Sequence, residues 1–321
     1  MNEYSSRWQQ PARVALINVA VFVVLVLGIE GTIRMLNPDI SAVGTDANLF
    51  EDRRFGESGG PRPGATGRSN GVLRRVDDRG LWTYSGANRD RPKWLLLGDS
   101  VTMGLGVEGD STFGGILASD QDSIDVVSPA IPGHASDDYL RIARVLTDTM
   151  DVGRITVFWC LNDVMAGRPV ETAPQGARVM DNRLMSFLRR HVRTYTWAKA
   201  AFTDRPRLYF EHDAGLYEDG RGYLEAAIGD LEALQDIADA RSIPLDVVLL
   251  PYEYGLRTGA DTPRRIMAER LAERGIRAVD AGRALRSADD PAGLYLYGDG
   301  IHFNEKGHRA IAAFTMQALR E

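Results

Sequence analysis

The sequence predicts a three-layer α/β fold: a five-stranded parallel sheet between two layers of helices, preceded by a transmembrane helix. Three observations predict it. Short runs at 94–97, 124–127, 155–159 and 245–250 are mainly apolar, interrupted only by Asp125, Thr156 and Asp246, with a shorter strand at 277–279. Strands that do not alternate apolar with polar residues are buried on both faces. Helical patterns at 112–119, 136–148, 223–241, 262–273 and 305–319 fall between and after these strands, and such β-then-α alternation requires parallel strands joined by crossover helices. The third observation is the run VALINVAVFVVLVLGI at 14–29, in which Asn18 is the one polar residue.

A helix over residues 12–29 is about 27 Å long at ~1.5 Å per residue, enough for a bilayer core. Arg7 and Arg13 precede the run, and Glu30 and Arg34 follow it. The positive flank puts the N-terminus in the cytoplasm and the remaining chain outside. Two other readings use the same run. A cleaved signal peptide lacks suitably placed small residues near Gly28 to Gly31, and a buried core helix sits badly at an extreme N-terminus with polar flanks. Residues 1–35 are therefore read as the tail and anchor of a single-pass membrane protein.

Residues 36–91 contain the Gly/Pro/Arg-rich stretch RRFGESGGPRPGATGRSNG, with little apolar periodicity, and read as a stalk or an irregular surface layer. The α/β domain follows at 92–321. One connection breaks its rhythm, an insertion at 164–222 with a helix expected at 182–202 and an aromatic-rich turn at 209–212. Such insertions shape access to a site, or they add a packing layer or a dimer contact. Arg189 and Arg190 within it either meet an anionic substrate or headgroup or form a solvated helix face.

Composition narrows the function. The 321 residues are 44% hydrophobic and 26% charged, with a net charge of −6, a globular balance without the basic face a nucleic-acid binder needs. The single cysteine, Cys160, excludes an intrachain disulfide and a multi-cysteine metal site. No H-E-x-x-H or related metal pattern occurs, and no metal or other cofactor is expected.

The first strand runs directly into Gly98-Asp99-Ser100, which places a hydroxyl just past the carboxyl end of a buried strand, where ligands of open α/β sheets bind. The same tripeptide also suits an ordinary turn. Two hundred residues later, Asp299 and His302 are spaced to share one tight turn, so that the carboxylate holds one ring nitrogen while the other faces a serine. Gly133 follows the second strand and Asn162 the third; a glycine N–H and an asparagine side chain can both donate to a reacting carbonyl. With the N–H of Ser100 they form a three-donor oxyanion pocket, each donor worth about 2.7–4 kcal/mol in a transition state.

The order Gly98-Asp99-Ser100, Gly133, Asn162-Asp163, Asp299-x-x-His302 resembles the four blocks of the SGNH (GDSL-type) hydrolases over residues 92–321. The resemblance implies a flavodoxin-like SGNH fold, Ser100 as nucleophile, His302 as base, Asp299 as triad acid, and Gly133 and Asn162 as oxyanion donors. Cys160 stands where the family's third block begins with glycine. The anchor, the Glu30 and Arg34 pair and the Gly80-Leu81 step are similar to a bacterial subgroup of the family with an N-terminal membrane helix. The function implied is a serine esterase acting on carboxylic esters, O-acetyl or lipid esters of the cell envelope given the topology. Two alternatives use the same fold: a polysaccharide O-acyltransferase, in which a sugar hydroxyl replaces water, and a non-catalytic glycan-binding assembly protein.

Other motifs carry less. Gly104-x-Gly106-x-x-Gly109 begins seven residues after Leu97 rather than at the strand end, and the second strand ends without an acid for a ribose, against dinucleotide binding. A G-x-S-x-G elbow is absent. Cys160 reads as a buried small hydrophobe, His308 as a packing or capping residue, His134 as a substrate contact or an exposed loop residue, and Asp163 as a brace for the Asn162 loop.

Overall fold

The computed structural model describes residues 6–37, 40, 43–165, 183–218, 220, 222–286 and 289–320. The anchor run lies in one long helix, α1 (Ser6–Leu36). Its apolar stretch at 14–29 is exposed along its whole length, against the reading of a core helix.

The Gly/Pro/Arg-rich segment, expected as a stalk or an irregular layer, contains two antiparallel hairpins. β1 (Phe50–Phe55) pairs with β2 (Ser58–Pro61), and β3 (Thr66–Ser69) with β4 (Val72–Arg75). The second turns on Asn70 and Gly71, both at positive φ, 47° and 85°. Asn-Gly is the dipeptide that suits a two-residue turn of this hand. Both hairpins lie against the α/β domain. Ser58 Oγ donates to Asp138 Oδ1 at 2.6 Å, and the buried Arg74 guanidinium donates to the carbonyls of Met103 and Val107 at 2.8 and 2.9 Å. Just beyond the hairpins, the Trp82 indole N–H donates to Ala130 O at 2.6 Å.

The central sheet is formed by β5 (Lys93–Leu97), β6 (Asp125–Val127), β7 (Val152–Trp159), β8 (Leu245–Leu249) and β9 (Ala278–Asp280). All pairings are parallel, in the order β6-β5-β7-β8-β9. Every residue of β5, β6 and β8 is buried, as apolar runs without alternation require.

The first crossover carries α2 (Ser100–Met103) and α3 (Phe113–Ser119); α4 (Ser136–Thr149) makes the second. Between β7 and β8 lie α5 (Arg183–His191), α6 (Arg193–Phe202), α7 (Arg205–Gly215) and α8 (Tyr223–Asp239); after β8 come α9 (Glu253–Thr258) and α10 (Thr262–Glu273), and after β9 come α11 (Ala281–Leu285) and α12 (Glu305–Ala318). Because β5 to β6 and β6 to β7 step in opposite directions, right-handed crossovers put their helices on opposite faces. Accordingly α4 packs with α8, and α3 with α12.

Two expectations for the insertion are corrected. The single helix expected at 182–202 breaks at Val192, an extended residue (φ −114°, ψ 101°), into α5 and α6; position 182 lies outside the described residues, as do 166–181. The aromatic-rich turn at 209–212 is instead the interior of α7. That helix starts where Asp204 accepts from the N–H of Arg207 and Pro206 occupies the first turn, a start signal legible in Asp-Arg-Pro.

Candidate active site

The turn after β5 allows little room. A Cβ on Gly98 would stand 1.9 Å from Thr102 Oγ1 and 3.2 Å from Phe158 O, so only glycine lets the chain double back here. Asp99 then caps α2, its Oδ1 accepting from the N–H of Val101 at 2.8 Å. The result presents Ser100 at the carboxyl end of β5, beside the point where the strand order reverses.

Asp299 and His302 share a tight turn, as their spacing predicts. One carboxylate oxygen, Asp299 Oδ1, accepts from the N–H of Ile301 at 3.0 Å, the N–H of His302 at 2.8 Å and the ring Nδ1–H of His302 at 2.8 Å. Gly298 and Gly300 flank it at φ +64° and +83°. At Gly300 a Cβ would also meet Pro206 at 2.5 Å. With Nδ1 committed to the carboxylate, Nε2 turns outward and lies 2.8 Å from Ser100 Oγ, where it accepts the hydroxyl proton.

The charges match this chain of bonds. Burial alone would raise the Asp299 carboxyl, yet the adjacent His302 charge and the N–H donors hold it well below the usual carboxylate range. For His302, burial would favour the neutral ring, but the attraction of Asp299 and its hydrogen bond raise the imidazole above its ordinary value. A raised imidazole of this kind can take up a proton and hold it.

Asn162 reaches the same place from the end of β7. Its Nδ2 donates to Asp99 Oδ2 at 3.1 Å, and that oxygen is 3.3 Å from Ser100 Oγ. An amide nitrogen carries two hydrogens, and this bond uses one of them. The Asn162 loop is braced by buried Asp163, which accepts from the N–H of Cys160 at 2.7 Å. Cys160 itself is buried, and burial, followed by the charges of Asp99 and Asp163, pushes its thiol up. Cysteine in place of glycine thus keeps its side chain inside the core.

Gly133 is placed differently. It sits in the exposed loop after β6, at φ +89° with open space where a Cβ would stand, and is not part of the wall around Ser100. Its neighbour His134, expected as a substrate contact or an exposed residue, is buried, with Nε2 3.1 Å from Gly59 O under the first hairpin. His308 packs inside; burial lowers it to about 3, and its neutral Nδ1 accepts from the N–H of Phe113 at 3.2 Å.

Ser100, Asp99, Asn162, Asp299 and His302 line a cavity of about 320 Å³. Its other walls include residues that sequence reasoning did not single out: Ile40, Asn70, Thr196, Arg205 and Tyr209. Arg205 donates from Nη2 to Tyr209 OH at 3.0 Å. Behind Asn162, the hydroxyl of buried Tyr252 lies 3.0 Å from Asn162 Oδ1 and 2.7 Å from Asp213 Oδ2. Tyr252 stands just past β8, so the strand-end rule that found Asn162 could also have found it.

Among solved structures, the chain is similar to the lipase/acylhydrolase from Enterococcus faecalis, with 15% identity and a TM-score of 0.43 over 71% of this chain and 95% of that one. It is similar to TesA, with 14% identity and a TM-score of 0.45 over 71% and 98%. Psychrotrophic esterase EstA from Pseudoalteromonas sp. gives 14% identity and a TM-score of 0.40 over 71% and 96%. No curated protein matches the chain. The family model described as GDSL-like Lipase/Acylhydrolase matches residues 96–310, which runs from the strand before Ser100 past His302. That match covers about two thirds of the sequence, and so the chain belongs to the GDSL-like lipase/acylhydrolase family and is a hydrolase acting on esters.

Proposed function

We propose that the chain is a membrane-anchored serine esterase that cleaves carboxylic esters of the cell envelope, O-acetyl or lipid esters, with Ser100, His302 and Asp299 as its triad. The observation that carries this reading is the relay of two 2.8 Å bonds, from Ser100 Oγ to His302 Nε2 and from His302 Nδ1 to Asp299 Oδ1, across 202 residues of sequence.

In this reading His302 Nε2 takes the hydroxyl proton as Ser100 Oγ attacks the ester carbonyl. The tetrahedral oxyanion is met by the second N–H of Asn162 and the backbone N–H of Ser100. His302 then returns the proton to the departing alkoxide, leaving an acyl-serine. Water attacks that ester, its proton passes to Nε2, and collapse frees the acid and restores Ser100. Asp299 keeps the imidazole in the tautomer that both steps need.

The exposed apolar face of α1 supports an anchor, since each large apolar side chain left in water forgoes about 1.5–3 kcal/mol. The arginines before it support a domain on the outer side of a bacterial cytoplasmic membrane. The test uses the full chain in detergent. Ser100→Ala should abolish short-chain ester hydrolysis and labelling by a fluorophosphonate; unchanged turnover in this variant refutes the reading. Release of free acid, measured against acylated acceptor, distinguishes hydrolysis from transfer.

A further inference from the structure

The apolar stretch of α1 is exposed along its length, yet the helix's last turns are fastened. The Glu30 carboxylate accepts from the N–H of Arg193 at 3.0 Å, the N–H of Thr194 at 2.9 Å and the hydroxyl of Thr194 at 2.7 Å. These N–H groups belong to the first turn of α6, where a helix has no internal partners for them. Arg34 Nη2 donates to His191 O at 2.6 Å, at the last residue of α5, and Ile33 is buried. The break at Val192 is therefore held against the residue that directly follows the apolar run.

This fixes the depth of the junction between α5 and α6. If residues 14–29 cross the hydrocarbon core, Glu30 stands at its edge. The polar layer beyond that edge is only about 5–8 Å thick on each side. The junction bonded to Glu30 lies within it.

The outward side chains suit that layer. Phe187, Trp197 and Phe202 are exposed, Phe202 by 84%, and Met35 and Leu36 at the end of α1 are exposed as well. Basic residues stand near them: Arg190 is exposed, with Nη2 3.9 Å from Asp46 Oδ1, and Arg189 and Lys199 are half-buried. Lys199 is held below the usual lysine range, first by burial and then by the positive charges of Arg205 and Arg189. Aromatic and basic side chains on short amphipathic helices are the composition of an element lying in a membrane interface.

We infer that α5 and α6 form an interfacial platform, a second membrane contact lying in the headgroup layer of the bilayer that α1 crosses. Phe187, Trp197 and Phe202 enter the upper acyl region and the cations meet lipid phosphates. Thr196, on the cavity wall, is two residues from Thr194, about 3 Å along the helix axis, so the platform also holds the mouth side of the Ser100 cavity near headgroup depth. The inference rests on the reading of α1 as an anchor.

The test places one environment-sensitive fluorophore at a time on the full chain in vesicles of phosphatidylcholine and phosphatidylglycerol. Cys160 is buried, so labels go on Phe187→Cys, Phe202→Cys, Phe22→Cys within the anchor, and Asp122→Cys, an exposed residue just before the amino end of β6. Nitroxide lipids should quench positions 187 and 202 at least twofold more than position 122, with shallow nitroxides more effective than deep ones. Deep nitroxides should be the more effective at 22. Quenching of 187 and 202 by aqueous iodide alone, with 22 in the bilayer, overturns the platform and leaves the anchor standing. Iodide access at 22 as well overturns the anchor and the platform with it. Protection of 187 and 202 from both quenchers overturns the lipid contact in favour of a protein occupant.

Discussion

Replacing Asn162 by alanine separates the chemistry proposed for the site from its architecture. The side chain makes two contacts, from Nδ2 to Asp99 Oδ2 at 3.1 Å and between Oδ1 and Tyr252 OH at 3.0 Å. Neither partner is orphaned by truncation. Tyr252 keeps Asp213 as its acceptor at 2.7 Å, and Asp99 keeps the N–H of Val101 at 2.8 Å. The lost bond to a charged carboxylate costs about 1.5–3 kcal/mol, and at about 2–4 °C per kcal/mol the melting temperature falls by roughly 3–12 °C. The rate should suffer far more. Loss of one oxyanion donor removes about 2.7–4 kcal/mol of transition-state stabilisation, a factor of about 10²–10³ in kcat. KM should stay close to its starting value, because in the proposed mechanism the second N–H meets charge that exists only in the transition state. The assay is kcat and KM on a short-chain p-nitrophenyl ester, with thermal unfolding measured on the same samples. Asn162→Asp, similar in shape but without the donor hydrogens, should lose at least as much. A folded Asn162→Ala protein whose kcat stays within about threefold of the parent refutes the role given to this side chain.

Other perturbations have equally definite outcomes. Because His302 acts only when neutral and its pKa is raised, kcat/KM should climb as pH rises through a midpoint above the ordinary imidazole value of about 6.5. Asp299→Asn removes the charge that raises it, so a pH–rate profile should show that midpoint moving down while kcat falls by ~10⁴ through loss of the required tautomer; an unmoved midpoint contradicts the assignment. Gly98→Ala forces a methyl against the Thr102 side chain and Phe158 O, at a cost of about 1–3 kcal/mol, and the displaced turn should lower kcat more than it raises KM. Arg74→Met leaves the carbonyls of Met103 and Val107 without their donor in a buried place, at about 1–3 kcal/mol for each group; urea unfolding should report it, and a loss under about 1 kcal/mol would show that the second hairpin contributes little to the domain.

Much of this molecule is written locally. Strands apolar on both faces can sit only inside a sheet covered by helices, and each of β5 to β9 begins and ends within a few residues of where that pattern places it. Gly98-Asp99-Ser100 at the end of a buried strand and Asp299 three residues before His302 are local signals too, because strand-end position and turn geometry depend on near neighbours. The hairpin at Asn70-Gly71 and the start of α7 at Asp204-Arg205-Pro206 were also legible, but in each case their surroundings look like loop.

What the tertiary structure decided is which distant segments meet. Arg205 has no local mark of the site, and Tyr252 has only its place just past a strand end; they join it because β8 lies beside β7 and because the insertion folds over the cavity. The break at Val192 has no strong breaker such as proline or glycine. Its purpose is visible only when the N–H groups it frees are found on Glu30, 163 and 164 residues away. Periodicity and capping report the free energy of a residue among its near neighbours, whereas these contacts are selected by the packing of the whole chain.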